Sequence, residues 1–299
     1  MNTILKTIRQ QNTITKPVCV SGFGYWSGQD ITIEFRPADV DRGITFVRES
    51  DGALQRIPAR VEYREDVPRR TNLRRHSTNV DMVEHVVAAL AGLQIDNCEV
   101  HCNNVEMPGC DGSSHEFVQA LANAGIQAQD APRQALIVER VVRLGDSECW
   151  IEAKPLSNAA SPSVMILEYR LDYGPASVIP KQTCRLEVTP SSFVAELSQA
   201  RTFILAHEAV ALQNAGLGQR ATTNDLIVFG EDGPIDTSLR YSNECARHKT
   251  LDMVGDLALG GIDLIGEFTA YRTGHRFNSE LVRALLEDHN IRSDLLNCA

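Results

Sequence analysis

The 299-residue chain has no long apolar run and no excess of positive charge. No stretch approaches the about 18 consecutive apolar residues that a membrane-spanning helix needs. Its first residues, MNTILKTIRQQNTI, have neither the apolar core nor the small-residue cleavage site of a signal peptide. The net charge of −10 excludes a sequence-independent grip on nucleic-acid phosphates. We therefore expect a cytoplasmic protein with no transmembrane segment and no nucleic-acid partner.

Cysteine pairs are also missing, because the eight cysteines are scattered and none forms a C-x-x-C motif. Cys98, His101, Cys102 and Cys110 could be combined into a zinc knuckle. However, Cys98, Val100 and Cys102 alternate with polar residues, which is the period of a β-strand with both sulfurs on one face. We therefore predict reduced thiols that pack as small apolar side chains.

The composition is that of an ordinary globular protein, with 43% hydrophobic and 23% charged residues. The length predicts two domains, and the polar segment at 130–134 divides them into residues 1–130 and 131–299. In the first half, strands are predicted at 31–38, 43–49, 59–65 and 95–102, and helices at 80–93 and 113–126. In the second half, strands are predicted at 135–144, 149–155, 164–173 and 262–271, and helices at 191–200, 243–260 and 278–288.

The two halves resemble each other in sequence. Residues 90–102 (LAGLQIDNCEVHC) line up with residues 257–269 (LALGGIDLIGEFT), and Asp96 thereby matches Asp263. This match predicts two similar α+β domains, in each of which a helix leads through a tight turn into a strand. A histidine lies on the helix in each half, His85 in the first and His248 in the second.

The spacing of His248 and Asp252 indicates a metal site. The two residues are four positions apart on a predicted helix, so their side chains lie on one face. An imidazole and a carboxylate at that spacing can share one zinc ion, although the same spacing is also common in solvated surface pairs. His85 is the best third ligand, because it is the histidine on the corresponding helix of the other half. Its neighbour Glu84 would stand beside the metal, which suits a general base.

Other ionisable residues lie near this predicted site. Asp256 extends the helix face by one more turn, and Lys249 directly follows His248. We predict that His275, after Gly274, lies in a loop between a strand and a helix. A carboxylate partner such as Asp256 would raise the pKa of His275 and let its imidazolium act as an acid.

Six blocks of sequence occur in order: MVEHVVAALAGLQIDN, MPGCDGSSHEFV, ARTF, RHKTLDMVGDLAL, LIGEF and GHRFNSELV. Together they resemble the UDP-3-O-acyl-N-acetylglucosamine deacetylases, the zinc amidases that commit Gram-negative bacteria to lipid A synthesis. The resemblance is collinear from about residue 7 to residue 290. It implies two similar two-layer α/β sandwich domains packed face to face with the metal between them. Each domain would carry a small insert, and the second insert, at about 204–232, would wall a tunnel for an acyl chain.

The resemblance also implies a set of site residues. One zinc ion, with iron as the alternative metal, would be held by His85, His248 and Asp252, and Glu84 would be the base. The resemblance further implies that His275 is the general acid and that Asp256 orients it. Lys249 and Thr202 would contact the acetamide and the oxyanion, and the Phe203 ring would lie beside the substrate. Lys154 and Arg272 would be cations near the nucleotide.

The chain departs from the family pattern at three places. Trp26 stands where a histidine is usual, and Arg220, Ala221 and Thr222 replace a usual Gly-Gly-Ser. Glycines let an acyl chain pass close to the protein backbone. The replacement of the Gly-Gly-Ser segment would therefore narrow or reshape the tunnel and alter the acyl length accepted. The basic run at 69–76 is either a solvated loop or a contact with substrate phosphate or an acidic membrane surface.

The leading hypothesis is therefore a monomeric zinc deacetylase whose partner is a small amphiphilic nucleotide sugar, with transient membrane-surface contact left open. One alternative is a paralogue that removes an N-acyl group from another nucleotide sugar. Another is a catalytically silent binding protein of the same fold. The presence of Glu84, His85, His248, Asp252 and His275 argues against silence.

Overall fold

A computed structural model describes residues 5–50, 52–157 and 164–288, which form four β-sheets and six α-helices. Cys298 and the last two residues of the family resemblance, 289 and 290, lie outside these ranges. The elements follow one another as β1 (Leu5–Ile14), β2 (Val18–Phe23), β3 (Asp30–Pro37), β4 (Ile44–Ser50), β5 (Ala53–Pro58), β6 (Arg64–Glu65), β7 (Asn72–Arg75), β8 (Thr78–Val80), α1 (Glu84–Gly92), β9 (Cys98–Cys102), α2 (His115–Ala124), β10 (Ile126–Ile137), β11 (Val142–Gly145), β12 (Trp150–Lys154), β13 (Met165–Leu171), β14 (Gln182–Val188), α3 (Pro190–Ser192), β15 (Phe203–Leu205), α4 (Ala206–Asn214), β16 (Ile227–Gly230), β17 (Gly233–Pro234), α5 (Glu244–Ala258), β18 (Asp263–Tyr271) and α6 (His275–Asp288).

The first half contains a five-stranded sheet in the order β2-β3-β9-β4-β5. Its strands bury alternate residues, as one face of a sheet must when only that face meets the core. In β9, Cys98, Val100 and Cys102 are buried while Glu99 and His101 are not, so the strand interpretation of the cysteine segment is confirmed. Among the described residues, all seven cysteines are free thiols.

The second half is built on a seven-stranded sheet in which β1-β10-β18-β12-β11 form one path and β13 and β14 extend it from β18. Strand β18 is buried along nearly its whole length and pairs with β10, β12 and β13. Strand β1, from the start of the chain, pairs antiparallel with β10. The division expected at residue 130 falls inside β10, so the two-domain boundary stays a prediction.

Two small three-stranded sheets share no ladder with the main sheets among the described residues. Strands β6, β7 and β8 form a meander between Arg64 and Val80, directly before α1. Strands β15, β16 and β17 form another sheet which, with α4, spans Phe203 to Pro234 and includes the insert expected at 204–232. The mixed α/β architecture expected from the sequence is thereby confirmed, while the face-to-face packing of two sandwiches stays a prediction.

Helices α1 and α5 cross at Gly255. A Cβ atom added to Gly255 would lie 2.3 Å from the carbonyl oxygen of Glu84 and 3.2 Å from the amide of Ala88. Only glycine lets the two backbones approach this closely, because any side chain would occupy the same space. This crossing brings His85 on α1 next to His248 on α5, with ring centroids 5.0 Å apart.

The matched aspartates of the internal repeat meet in space. Arg9 donates to Asp96 at 2.6 Å and to Asp263 at 3.0 Å. Arg133, the β10 residue opposite Arg9, lies 3.1 Å from Asp96 and 2.8 Å from Asp263. Two arginines and two repeat-related carboxylates therefore form a closed ion-pair quartet that ties the halves together.

Four local predictions were wrong. Residues 59–65 are not one strand, because Val61–Tyr63 form a 3₁₀ turn whose first amide donates to the carbonyl of Leu259. The helix expected from residue 80 begins at Glu84, since Thr78–Val80 pair in a sheet and Met82 has φ +61°. The helix expected at 191–200 ends at Leu197 as a π-helical turn. His275 does not lie in a loop; it is the first residue of α6.

No helix among the described residues is long and apolar enough to cross a membrane.

Candidate metal centre and active site

Three buried side chains from two helices converge where α1 crosses α5. His85 is the second residue of α1, and His248 and Asp252 lie one turn apart on α5. Asp252 Oδ1 is 3.6 Å from His85 Nε2 and 3.5 Å from His248 Nε2. One nitrogen or oxygen from each residue lies within 4.8 Å of the others. The structure thus brings together the three residues that the sequence predicted as ligands.

The arrangement fits a divalent metal ion. Two ligands placed about 2.1 Å from one ion in tetrahedral geometry lie about 3.4 Å apart, which is close to both distances from Asp252. Asp252 Oδ1 is buried and has no hydrogen-bond partner among the described residues, so it lacks the donor that a buried oxygen normally has. The Nδ1–H of His248 donates to the carbonyl of Ala200 at 3.0 Å, which leaves its Nε2 lone pair directed at the site. His85, His248 and Asp252 could therefore hold a metal ion.

The charges around the three ligands suit metal binding. Burial lowers the pKa of His248 to about 3, so its imidazole is neutral at pH 7, as a ligand must be. Burial alone would raise the pKa of Asp252, but His248, Lys249 and His275 outweigh burial and hold that pKa well below its ordinary value. Lys249 Nζ lies 2.9 Å from Asp252 Oδ2. Burial would lower the pKa of Lys249, yet this carboxylate outweighs it and raises the pKa, so the ammonium is retained.

Glu84 is a buried carboxylate beside the ligands. It is the first residue of α1, and its Oε2 accepts the backbone N–H of Thr71 at 3.0 Å. Burial raises the pKa of Glu84, partly offset by the neighbouring His275 and His85. A carboxylate with a raised pKa holds an abstracted proton more readily, which is the property a general base needs.

His275 is held by the buried carboxylate of Asp256. Its Nδ1–H donates to Asp256 Oδ2 at 2.8 Å, and its Nε2 faces Asp252 Oδ2 at 3.9 Å. Burial alone would lower the pKa of His275, but Asp256 and Asp252 outweigh burial and raise it to about 9. The imidazole is therefore cationic at neutral pH in this arrangement, as a general acid must be.

Thr202 directly precedes β15, and Phe203 is the first residue of that strand. The Thr202 amide donates to the carbonyl of Gly112 at 2.7 Å. The Phe203 ring lies 6.3 Å from the His248 ring, and Lys249 Nζ lies 5.8 Å from the Phe203 centroid. These three side chains border the same cavity as the metal ligands.

That cavity has a volume of about 510 Å³ and extends from the site to the segment 203–235, which contains α4 and the strands β15, β16 and β17. Its far walls are mainly apolar side chains of α4 and the segments around it, among them Ala209, Leu212, Leu217, Leu226 and Val228. Volumes of this size accommodate small-molecule ligands. Polar and ionisable groups at one end and apolar walls at the other suit a molecule that has both characters.

Comparison with known proteins agrees with this geometry. Residues 11–287 match the model of the UDP-3-O-acyl N-acetylglycosamine deacetylase family. The chain belongs to this family. A UDP-3-O-acyl-N-acetylglucosamine deacetylase of Psychrobacter arcticus is 35% identical over 287 residues, which are 95% of this chain and 88% of that protein. The corresponding protein of Shewanella oneidensis is 36% identical over 92% of this chain and 89% of its own length. That of Brucella ovis is 36% identical over 93% and 96%.

The residues that depart from the deacetylase family pattern are placed differently around the cavity. Ala221 and Thr222 line it, whereas Arg220 is not among its lining residues and pairs with Asp30 at 2.5 Å. Of the two residues expected to narrow or reshape the tunnel, Ala221 therefore borders the cavity and Arg220 does not, and the effect on acyl length stays a prediction. Trp26 lines the cavity and lies under the Arg70 guanidinium, 4.3 Å from its ring centroid.

The cations assigned to the nucleotide do not come together. Lys154 pairs with Glu267 at 3.3 Å, and Arg272 lies 3.7 Å from Glu148. Lys154 is opposite Glu267 at one end of β12, whereas Arg272 follows Tyr271, which is opposite Trp150 at the other end of β12. Of the basic run at 69–76, Arg69 borders the cavity and pairs with Glu208 at 2.8 Å.

Sequence reasoning missed several residues that support the site. Glu244 is fully buried and accepts the backbone amide and the guanidinium of Arg201, next to Thr202. Asn278 donates to Asp256 at 2.8 Å. Arg201 and Asn278 lie inside the blocks that resemble the deacetylase family, which was the available signal. Thr71, whose amide donates to Glu84, lies in the basic run at 69–76, and the sequence around it shows only the clustered charge.

Proposed function

We propose that the protein hydrolyses the N-acetyl group of UDP-3-O-acyl-N-acetylglucosamine, giving the free amine and acetate, the committed step of lipid A biosynthesis. The observation that carries this proposal is the joint placement of a metal-fitting triad, a buried glutamate and a buried cationic histidine around one end of a cavity with apolar walls. The deacetylase names of the relatives support the same reaction.

The metal in this proposal is one zinc ion per chain, held by His85, His248 and Asp252, with Fe²⁺ as the alternative for the same ligands. An ion held there would polarise a carbonyl oxygen and would lower the pKa of water in the site toward about 7.

The chain's own residues supply the proton transfers. Glu84 takes a proton from water as the water oxygen attacks the acetamide carbonyl carbon. Thr202 donates a hydrogen bond to the negative charge that develops on the carbonyl oxygen, and Lys249 stabilises that charge electrostatically. His275 donates its Nε2 proton to the amide nitrogen as the carbon–nitrogen bond breaks, and Asp256 holds the imidazolium in position. The amine and acetate leave, and a proton exchange with water resets both residues.

The cavity suits the ester-linked acyl chain of this substrate, with Phe203 beside the sugar. The rim includes the exposed side chains of Tyr173, Val210 and Ile235, which are 47%, 54% and 37% accessible. These apolar residues suit contact with an acyl chain at the opening or with a membrane surface.

A cytoplasmic monomer belongs to the same proposal, and the free thiols of the described cysteines fit a reducing compartment. Arg272 and Lys154 stay candidates for nucleotide contact.

A substrate comparison tests the reaction. Amine release is measured from the UDP-3-O-acyl sugar and from UDP-N-acetylglucosamine without the ester-linked chain. A strong preference for the acylated compound is expected, since only that compound fills the apolar cavity. Equal turnover of both would contradict the proposal and favour the second candidate, a deacetylase for another N-acyl nucleotide sugar. That candidate has one observation behind it, namely Ala221 and Thr222 on the cavity wall.

A further inference from the structure

Thr71 contacts both the carboxylate beside the metal ligands and the aspartate that holds His275. Its backbone N–H donates to Glu84 Oε2 at 3.0 Å, and its hydroxyl donates to Asp256 Oδ1 at 2.6 Å. The residue is fully buried. One residue therefore links the first residue of α1 to the last turn of α5.

The position of Thr71 is itself fixed by the start of α1. Its carbonyl oxygen accepts the backbone N–H of Val83 at 3.0 Å, so all its polar groups are engaged. The next residue, Asn72, accepts the backbone N–H of Met82 at 3.2 Å through its side chain. These bonds hold the β7–β8 hairpin against the N-terminus of α1, and the Thr71 hydroxyl is held with it.

The Asp256 carboxylate receives three donors. Oδ2 accepts from His275 Nδ1 and from Asn278 Nδ2, each at 2.8 Å, and Oδ1 accepts from Thr71 alone among the described hydrogen bonds. Because Asp256 is fully buried, no bulk water replaces the hydroxyl if it is removed. The hydroxyl thus sets the plane of the carboxylate and, through it, the direction of the His275 ring.

We propose that Thr71 is a positioning residue for the reaction, which orients the Asp256–His275 pair through its hydroxyl and the Glu84 carboxylate through its backbone. This inference rests on the proposed function, because it gives His275 and Glu84 their acid and base roles. Thr71 touches neither the metal ligands nor the cavity in the contacts described. Loss of its hydroxyl should therefore slow turnover without loss of metal or of substrate affinity.

The test compares Thr71→Val, which removes only the hydroxyl hydrogen bond, with Thr71→Ser, which retains it. Thr78→Val is the matched control, since Thr78 lies in the same hairpin and is only 2% exposed. For Thr71→Val, kcat should fall roughly 10–100-fold, because a misaligned His275 loses part of a general-acid contribution of about 100–10,000-fold. KM should stay within about twofold, because ground-state binding is untouched. Metal per chain should equal that of the wild type, and Thr71→Ser should recover most of the lost kcat.

Three results would overturn the positioning role while the deacetylase function stands: a Thr71→Val kcat equal to that of the Thr78→Val control, a Thr71→Ser variant as slow as Thr71→Val, or a loss of metal that accounts for the loss of rate. A wild-type protein that releases no amine from the acylated substrate would instead refute the proposed function itself. Thermal unfolding of all variants separates loss of stability from loss of rate. If the Thr71 hydroxyl only stabilised this hairpin, Thr78→Val would lower both stability and kcat as well.

Discussion

Replacing Gly255 by alanine should remove metal from the site without touching a ligand. The added Cβ would lie 2.3 Å from the carbonyl oxygen of Glu84, whereas ordinary contacts of a Cβ begin at 3.4 Å. Helix α1 must therefore move by about 1 Å relative to α5, and α1 carries Glu84 and His85. Metal–ligand distances tolerate only about 0.2 Å of error, so we expect metal content to fall well below one per chain.

The magnitude for activity follows from the same displacement. A misplacement of about 1 Å costs on the order of 100-fold in rate, and Glu84, the proposed base, moves together with His85, the proposed ligand. The effect on stability has two opposing parts. Alanine is favoured over glycine in a helix by about 1 kcal/mol, whereas overpacking costs about 1–3 kcal/mol. We expect a net loss of up to about 2 kcal/mol, small enough for the variant to stay folded.

The assay is metal per chain by elemental analysis, followed by deacetylase turnover and chemical denaturation. Gly260→Ala is the control, because its added Cβ would meet its nearest neighbour, the carbonyl oxygen of Leu257, at 3.3 Å, only 0.1 Å short of an ordinary contact, against 1.1 Å at Gly255. A Gly255→Ala protein that is more stable than the wild type and keeps a full metal complement would refute the reasoning, since the helices would then not be in close contact.

Three further predictions concern other parts of the molecule. Asp96→Ala should destabilise the fold by about 3 kcal/mol in chemical denaturation, because Arg9 and Arg133 lose one of the two carboxylates that they share. A change below about 0.5 kcal/mol would mean that the ion-pair quartet does not tie the halves together. His275→Gln should lower kcat by about 100–1000-fold with metal content unchanged, and wild-type turnover would exclude it as the acid. Ala221→Gly should shift the preferred acyl length upward, whereas Arg220→Ala should leave it unchanged; activity on a series of chain lengths checks both, and a reversed pattern would contradict the cavity assignment.

Sequence alone predicted the parts of the site that are local. His248 and Asp252 are four residues apart, so they lie on one face of any straight helix. Asp256 lies one turn further along the same helix, next to His275. The internal repeat pointed to His85 as a partner, and the structure places its ring beside that of His248. Such features depend on helix periodicity and on a short sequence match between the two halves, both of which can be read from the sequence alone.

Features that depend on distant contacts were not predictable in the same way. The alternation at 59–65 favours a strand, yet the Val61 amide is taken by Leu259, almost 200 residues away, and the segment turns. The pairing of β1 with β10 places the start of the chain in the sheet of the second half. The role of Gly255 likewise depends on which helix faces it, and a glycine within a helix carries no sign of its neighbour.

The central claim is that His85, His248 and Asp252 hold the metal on which deacetylation depends. Its most direct test is metal content and amine release for the wild type and for Asp252→Ala, measured on the same preparations. The account predicts one metal ion per chain and turnover of the acylated substrate for the wild type, with both lost in the variant. An Asp252→Ala protein that kept one metal ion per chain and full turnover would contradict it.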